Sequence, residues 1–287
     1  MERILPLIGI YEKALPAGLS WQAMLKIAKE AEYDFVEMSI DESDARLTRL
    51  QWTAKERIEF RNRVMDSGLR VPSICLSGHR KFPFGSASSA TRQKAKDIMR
   101  SAIDFALDCG VRTLQLAGYD VYYEESTAES LALFEEGLTW AVGQAEQAQV
   151  TLGMEIMDTP LMSSIKKWLY YANKIPSAFF QVYPDIGNLS AWGNNVATEL
   201  ALARGRLTAI HLKDTLPPKP GFPGQFRDLP FGQGCVDFPA AFRALKAIDY
   251  RGSYLIEMWT DKAPDPIAEI TQAREWIIDK MKIAGLV

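Results

Sequence analysis

Val150-Thr-Leu-Gly-Met-Glu155 is the first of four short apolar runs that each close on a side chain able to bind a metal. The other three are Phe179-Phe-Gln-Val-Tyr-Pro-Asp185, Leu207-Thr-Ala-Ile-His211 and Ser253-Tyr-Leu-Ile-Glu257. Runs of this length, rich in β-branched and aromatic residues, indicate β-strands. Because the carboxyl ends of parallel strands meet on one face of an α/β barrel, we expect the four terminal side chains to converge there.

Four more strand candidates precede these runs, and amphipathic segments separate the strands. The eight candidates are centred near Ile8, Val36, Ile74, Leu114, Met154, Val182, Ile210 and Leu255. Apolar residues recur at helical spacing in residues 21–31, 92–106, 130–145 and 238–248. This alternation predicts an α/β fold, a (β/α)8 barrel with the helices outside. Since no linker-like stretch divides the chain, we predict a single domain over residues 1–287.

Composition excludes several classes of protein. Of the 287 residues, 47% are hydrophobic and 24% charged, the balance of a globular enzyme and not of a disordered chain. The net charge of -3 disfavours binding to nucleic acid or to anionic membranes. Cys75, Cys109 and Cys235 form no CxxC pair, and residues 1–12 lack the features of a signal peptide. We therefore expect a cytoplasmic protein with free thiols and no membrane span.

The chemistry of the four strand-end residues favours a metal site. An acidic residue at the end of one strand is often a loop residue or a helix cap, but four in the same structural position are harder to explain in that way. Three carboxylates and one imidazole suit a single divalent ion such as Zn²⁺, Mn²⁺ or Mg²⁺. Glu155 and Glu257 come from the fifth and eighth strands, across the predicted barrel mouth from each other. They could remove a proton from one face of a metal-bound ketose and return one to the other face, which inverts a stereocentre.

Weaker candidates follow the other strands. Ser77, His79 and Arg80 come after the third strand and could hold a phosphate, although a solvated basic loop explains them equally well. Glu37 ends the second strand and Gln115 nearly ends the fourth. Either side chain could bind a sugar hydroxyl, or serve only in packing or capping.

A long loop rich in proline and glycine, residues 214–234, follows the seventh strand. Its position beside the expected metal site favours a role in binding over a tolerated surface insertion.

These strand ends resemble those of a known family. Residues 154–158, 183–192, 211–214 and 254–259 resemble the xylose-isomerase-like TIM barrel superfamily. Within it, residues 9–18, 35–39, 115–123 and 230–234 resemble the bacterial L-ribulose-5-phosphate 3-epimerases, also called L-xylulose-5-phosphate 3-epimerases. The likeness extends over essentially the whole chain.

The resemblance implies a metal-dependent 3-epimerase that interconverts L-xylulose 5-phosphate and L-ribulose 5-phosphate through a cis-enediolate, in the breakdown of L-ascorbate. It implies that Glu155, Asp185, His211 and Glu257 are the metal ligands and that the two glutamates are the acid/base pair. Arg227 matches a substrate-binding arginine of related ketose epimerases. Asn188 departs from their pattern, since they have a histidine three residues after the ligand aspartate, so its role toward the substrate stays open.

Three alternatives remain at this point. A DNA-repair endonuclease of the same superfamily needs a centre with many histidines, whereas this chain has only His79 and His211. A non-catalytic sugar-phosphate-binding module would not need both opposed glutamates. An aldose–ketose isomerase acting on a hexulose or pentulose phosphate would need the same metal but would move the proton between neighbouring carbons. The sequence leaves open the native metal and whether the protein forms a homo-oligomer.

Overall fold

A computed structural model describes residues 6–287. Eight strands run in chain order: β1 Ile8–Tyr11, β2 Phe35–Ser39, β3 Ser73–Leu76, β4 Thr113–Leu116, β5 Thr151–Glu155, β6 Phe180–Tyr183, β7 Ala209–Leu212 and β8 Ser253–Ile256. Each contains the residue near which the sequence predicts a strand centre. Residues 1–5, which belong to the predicted domain and to the segment considered for a signal peptide, lie outside the described part.

Helices separate the strands. They are α1 Trp21–Glu30, α2 Asp44–Leu47, α3 Ala54–Ser67, α4 Ser89–Cys109, α5 Ala128–Ala148, α6 Ile165–Lys174, α7 Ile186–Ala191, α8 Val196–Leu202, α9 Phe238–Ala247 and α10 Pro266–Ile283. Short 3-10 helices cover Glu12–Ala14, Thr48–Gln51, Ser77–Arg80 and Pro160–Met162. None of the helices within residues 6–287 has the length and apolar character required to cross a membrane.

The strands form one parallel sheet in the order β6-β5-β4-β3-β2-β1-β8-β7. The two end strands approach each other through the isolated bridges Val182↔Leu207 and Asp185↔His211. The sheet is therefore a nearly closed barrel with helices between its strands, and the predicted (β/α)8 architecture is confirmed.

Alternation along the strands separates two apolar layers. The large core cluster contains Ile10, Val36 and Ile74, which pack with the helices. A smaller cluster of Tyr11, Phe35, Cys75 and Leu255 occupies the alternate positions of β1, β2, β3 and β8 and so faces the barrel interior. Gly9 lies on this inner face, where a Cβ atom would overlap the Phe35 ring.

The same period of two places polar residues on the inner face nearer the carboxyl ends of the strands. Glu37 follows Phe35 by two residues, and Glu257 follows Leu255 by two. The sequence predicts that each of the four polar residues ends its strand, but this does not hold for all of them. Glu155 is the last residue of β5, but His211 is the third of the four residues of β7, and Asp185 lies two residues beyond β6.

Candidate metal centre

Four side chains meet inside the carboxyl end of the barrel. Glu155, Asp185, His211 and Glu257 each offer one ligand atom, and these atoms all lie within 4.8 Å of one another. Around Nδ1 of His211, the carboxylate oxygens lie at 3.2 Å (Glu155 Oε1), 3.5 Å (Glu257 Oε2) and 3.9 Å (Asp185 Oδ2). The structure thus brings together the four residues that the strand ends singled out.

Asp185 is held by the start of the next helix. It caps α7, where its Oδ1 accepts a hydrogen bond of 2.8 Å from the amide of Asn188. Its Oδ2 is buried and accepts no hydrogen bond from the residues described. One oxygen therefore fixes the side chain and leaves the other directed at the cluster. The Asn188 side chain donates to the carbonyl of Ile156 at 2.7 Å, so it is tied to the backbone next to Glu155.

Lys213 is a fifth member of the site. Its Nζ lies 3.0 Å from Asp185 Oδ2 and 2.9 Å from Glu257 Oε2. Burial would raise the pKa of Glu257, but the Lys213 charge and contacts with His211 hold it well below its usual range. Burial raises the pKa of Asp185 to about 8 despite the opposing charge of Lys213. Lys213 therefore balances part of the negative charge gathered here.

Two further buried residues, Gln115 and Glu37, contact members of the cluster. Gln115 donates a short hydrogen bond from Nε2 to Glu155 Oε2. Glu37 Oε1 lies 3.2 Å from His211 Nε2. Burial would lower the pKa of His211, but contacts with Glu155, Glu257 and Glu37 raise it well above its ordinary value. Glu37 and Gln115 are fully buried, so neither side chain is exposed to solvent.

The residues of the cluster fit a divalent cation. Zinc ligands lie about 2.0–2.2 Å from the ion, so in a tetrahedral site two ligand atoms are about 3.5 Å apart. The distances of 3.2, 3.5 and 3.9 Å from His211 Nδ1 to the three carboxylate oxygens lie close to that value. The buried Asp185 Oδ2 accepts no hydrogen bond and lies 3.0 Å from the Lys213 ammonium, so the structure already places a positive charge beside this oxygen. The cluster could therefore hold a metal ion.

A cavity of about 570 Å³ opens beside Glu257 and Lys213. The predicted binding loop, residues 214–234, supplies part of its wall, including Arg227. The Arg227 guanidinium carbon lies 5.1 Å from the ring centre of Trp259, within cation–π range. The loop and Arg227 thus lie at a cavity that Glu257, one of the four candidate metal ligands, also lines.

Ser77, His79 and Arg80 form the 3-10 helix that follows β3. Ser77 and His79 are buried, and His79 Nε2 lies 3.2 Å from the carbonyl oxygen of Ala95. The His79 ring packs on Phe84 at a centroid distance of 4.8 Å, and burial lowers its pKa to about 4. This environment is that of a packed core histidine.

Arg80 has a different environment. Its guanidinium carbon lies 4.7 Å from the ring centre of Tyr122, and its Nε is buried with no hydrogen-bond partner among the described residues. The predicted roles of Ser77, His79 and Arg80 toward a phosphate stay predictions.

Sequence reasoning missed Lys213 and Asp214. Lys213 follows His211 by two residues, and this spacing along a strand would have placed it on the inner face. Asp214 was named only as the end of the 211–214 motif and as the start of the loop. Its carboxylate is buried and accepts hydrogen bonds from the amides of Gly232, Gly234 and Val236.

The comparisons agree with this fold. A chain from Haemophilus influenzae, named provisionally as an L-ribulose-5-phosphate 3-epimerase, is 56% identical over 97% of this chain and 98% of its own length. The L-ribulose-5-phosphate 3-epimerase of Escherichia coli K12 is 52% identical over 98% of this chain and 96% of its own length. A solved L-ribulose 3-epimerase superposes with a TM-score of 0.74 at 21% identity, covering 96% of this chain and 95% of that one.

A family model described as the xylose isomerase-like TIM barrel matches residues 25–280. This match spans most of the eight-stranded barrel, and the two sequence relatives span nearly the full chain. The resemblance drawn from the strand-end motifs is confirmed. The chain belongs to the xylose isomerase-like TIM barrel family.

Proposed function

We propose that the protein is a metal-dependent 3-epimerase that interconverts L-xylulose 5-phosphate and L-ribulose 5-phosphate. The observation that carries the proposal is the position of Glu155, which ends β5, and Glu257, which directly follows β8, because both contact His211 in one cluster. Relatives at 52% and 56% identity whose names specify L-ribulose-5-phosphate 3-epimerase support this substrate class.

In this proposal Glu155, Asp185, His211 and Glu257 hold one divalent ion, Zn²⁺, Mn²⁺ or Mg²⁺. When bound, the ion supplies positive charge that stabilises the enediolate developing on the substrate. One glutamate carboxylate accepts the proton from C3, and the other glutamate, as the acid, donates a proton to the opposite face of C3. The electron pair of the broken C–H bond passes into the enediolate and returns to form the new C–H bond, so the stereocentre inverts.

Other residues would bind and orient the substrate. Arg227 lines the cavity beside Glu257 and carries a charge suited to the ketose phosphate. Lys213 lines the same cavity within hydrogen-bond distance of Glu257 and can donate to a substrate oxygen there. We place the reaction in the cytoplasm, as a step of L-ascorbate breakdown.

Deuterium incorporation tests the reaction type. The metal-loaded protein is incubated with L-xylulose 5-phosphate in deuterated water, and the label is located by NMR. Deuterium at C3 with formation of L-ribulose 5-phosphate supports the epimerase. Deuterium at C2 of an aldose product, or exchanged into C1 of the ketose, would overturn it in favour of an aldose–ketose isomerase.

A second assay tests the nuclease alternative. With a net charge of -3 and only two histidines, the protein should neither bind nor cut abasic duplex DNA at physiological salt. The assay compares cleavage of a labelled abasic duplex with and without added divalent metal. Metal-dependent cleavage at the abasic site would contradict the proposed function.

A further inference from the structure

Glu37 lies directly behind His211, on the side away from the other carboxylates. His211 Nδ1 faces Glu155, Asp185 and Glu257, whereas its Nε2 lies 3.2 Å from Glu37 Oε1. The two ring nitrogens therefore contact different sets of groups. A neutral imidazole carries a proton on only one of its two ring nitrogens. The groups that contact the ring determine which nitrogen is protonated.

The second oxygen of Glu37 is occupied by protein donors. Glu37 Oε2 accepts a hydrogen bond of 2.6 Å from Ser73 Oγ and one of 3.0 Å from the Tyr183 hydroxyl. Glu37 is 0% exposed, so water does not compete for these bonds. The Tyr183 ring also packs on the His211 ring at a centroid distance of 4.4 Å. These contacts fix both the carboxylate and the imidazole that it faces.

We propose that Glu37 is a positioning residue for the metal, an inference that rests on the proposed metal-dependent function. It accepts a hydrogen bond from Nε2–H of His211, which leaves the lone pair of Nδ1 directed at the cluster. A carboxylate behind a ligand histidine fixes its tautomer and increases its basicity, and losing such a partner typically weakens metal binding about 10–100-fold. Glu37 therefore acts on the metal through His211 and does not contact the sugar.

Metal affinity is the primary test. Co²⁺ is titrated into metal-free wild-type protein and Glu37→Gln, and the visible absorption of the bound ion gives the dissociation constant. We expect the constant to rise about 10–100-fold in Glu37→Gln, because a neutral amide replaces the charged acceptor. An unchanged constant would overturn the inference. Failure of the wild-type protein itself to bind would instead overturn the proposed metal-dependent function.

Two tyrosine variants test whether weaker Co²⁺ binding results from a general loss of folding. Tyr183→Phe removes one donor to Glu37 and should weaken Co²⁺ binding by a smaller factor than Glu37→Gln. Tyr33→Phe is the matched control, since Tyr33 is buried and donates to the carbonyl of Ile270 at 2.8 Å, far along the chain in α10. It should bind Co²⁺ as the wild type does. Equal weakening in both tyrosine variants would show a loss of packing and would contradict the specific role.

Kinetics and NMR separate positioning from substrate binding. With saturating metal, Glu37→Gln should keep the wild-type KM, whereas a residue that binds a sugar hydroxyl would raise KM even when the metal site is full. The chain has only two histidines, so ¹⁵N signals of the His211 ring can be assigned by comparison with His211→Ala. In the Zn²⁺-loaded wild type we expect a protonated Nε2. A protonated Nδ1 or a raised KM would contradict the inference.

Discussion

At the scale of single residues, the two glutamates of the proposed acid/base pair have different neighbours. Glu155 Oε2 accepts its hydrogen bond from the neutral amide of Gln115, whereas Glu257 Oε2 accepts one from the ammonium of Lys213. Glu155 is 6% exposed and lies deeper, while Glu257 lines the cavity. The two glutamate side chains therefore lie in different electrostatic environments, although they are chemically identical.

Glu155→Gln and Glu257→Gln test whether both glutamates transfer protons. Each change keeps an oxygen ligand and the size of the side chain but removes the basic carboxylate. We expect turnover to fall by at least about 10²-fold in each variant, which is the low end of what general acid–base catalysis contributes. Metal analysis of each variant verifies that the site is filled. Nearly normal turnover in one metal-loaded variant would refute the two-base mechanism and leave that glutamate as a ligand alone.

His79 should make the fold sensitive to acid. Burial lowers its pKa from about 6.5 to about 4, so the unfolded chain binds this proton at a pH where the folded protein does not. The free energy of unfolding should therefore fall as the pH drops from about 6.5 to about 4, by about 3 kcal/mol in all. Between pH 7 and pH 5, urea unfolding of wild type should lose about 2 kcal/mol more than that of His79→Gln.

The comparison of these two proteins isolates His79, because every other titrating group is shared. Glutamine can still hydrogen-bond the carbonyl of Ala95 but cannot take up a proton in this range. The same pH dependence in both proteins would show that His79 is accessible to water and protons. That result would return His79 to the phosphate-binding role considered from the sequence.

Sequence alone could assemble the set of candidate ligands but not the residues that contact them. The four candidates could be recognised because each acid or histidine closes an apolar run of five to seven residues. The contact of Glu37 with His211 joins residues 174 positions apart and depends on the curvature of the barrel. Glu37 and Gln115 could therefore be identified as inner-face residues, but not as the buried partners of His211 and Glu155.

At the scale of elements, hydrogen bonds to Asp214, the first residue of the loop of residues 214–234, join the two ends of that loop. Asp214 Oδ2 accepts hydrogen bonds of 2.9 Å from the amides of both Gly232 and Gly234. A Cβ atom at Gly234 would overlap the Asp214 carboxylate, so the close approach requires glycine there. The sequence predicted the loop from its composition, but the tie between its two ends depends on a three-dimensional contact.

Asp214→Ala should release this loop. Hydrogen bonds to a charged group contribute roughly 1.5–3 kcal/mol each, and this change removes the acceptor of both glycine amides. We expect amide exchange at Gly232 and Gly234 to accelerate at least about tenfold, and KM to rise because Arg227 is carried on the loop. Hydrogen exchange read by NMR measures the first effect.

Asp237→Ala is the matched control for that experiment. Asp237 caps α9 through Ala240 at 2.9 Å, and losing such a cap costs about 1 kcal/mol without touching the loop amides. Equal acceleration at Gly232 in both variants would mean that the loop responds to global stability and not to the Asp214 contacts.

At the scale of the whole molecule, the barrel closes at a weakly bonded seam. The seam between β6 and β7 is crossed by backbone hydrogen bonds from Val182 to Arg206, from Thr208 to Val182 and from His211 to Pro184, at 3.0, 3.0 and 2.9 Å. Pro184 has no N–H group and cannot donate to this ladder. The neighbouring pair β5 and β6 instead has four residues in continuous register. Closure therefore depends on a short set of contacts beside the candidate metal ligands.

A metal bound by Asp185 and His211 would link the two sides of this seam. A ligand that binds only the folded state stabilises it, and here the added contacts cross the weakest strand pair. We expect the amides of Thr208 and His211 to exchange at least about tenfold more slowly in metal-loaded protein than in protein treated with EDTA. The amides of β3, which the strand order places across the barrel from this seam, should change little and act as the internal reference.

Asp185→Asn and His211→Ala determine whether that protection comes from the proposed ligands. Each variant lacks one of four protein ligands, so each should lose most of its bound metal. The Thr208 amide, which donates across the seam to Val182 in every variant, should then exchange at the same rate with and without added metal. Metal analysis of the purified variants runs beside the exchange measurements. If both variants bind metal fully and with wild-type affinity, the proposed coordination set is wrong. If the wild type is fully loaded with metal but its Thr208 amide does not exchange more slowly, the proposed link across the seam is wrong.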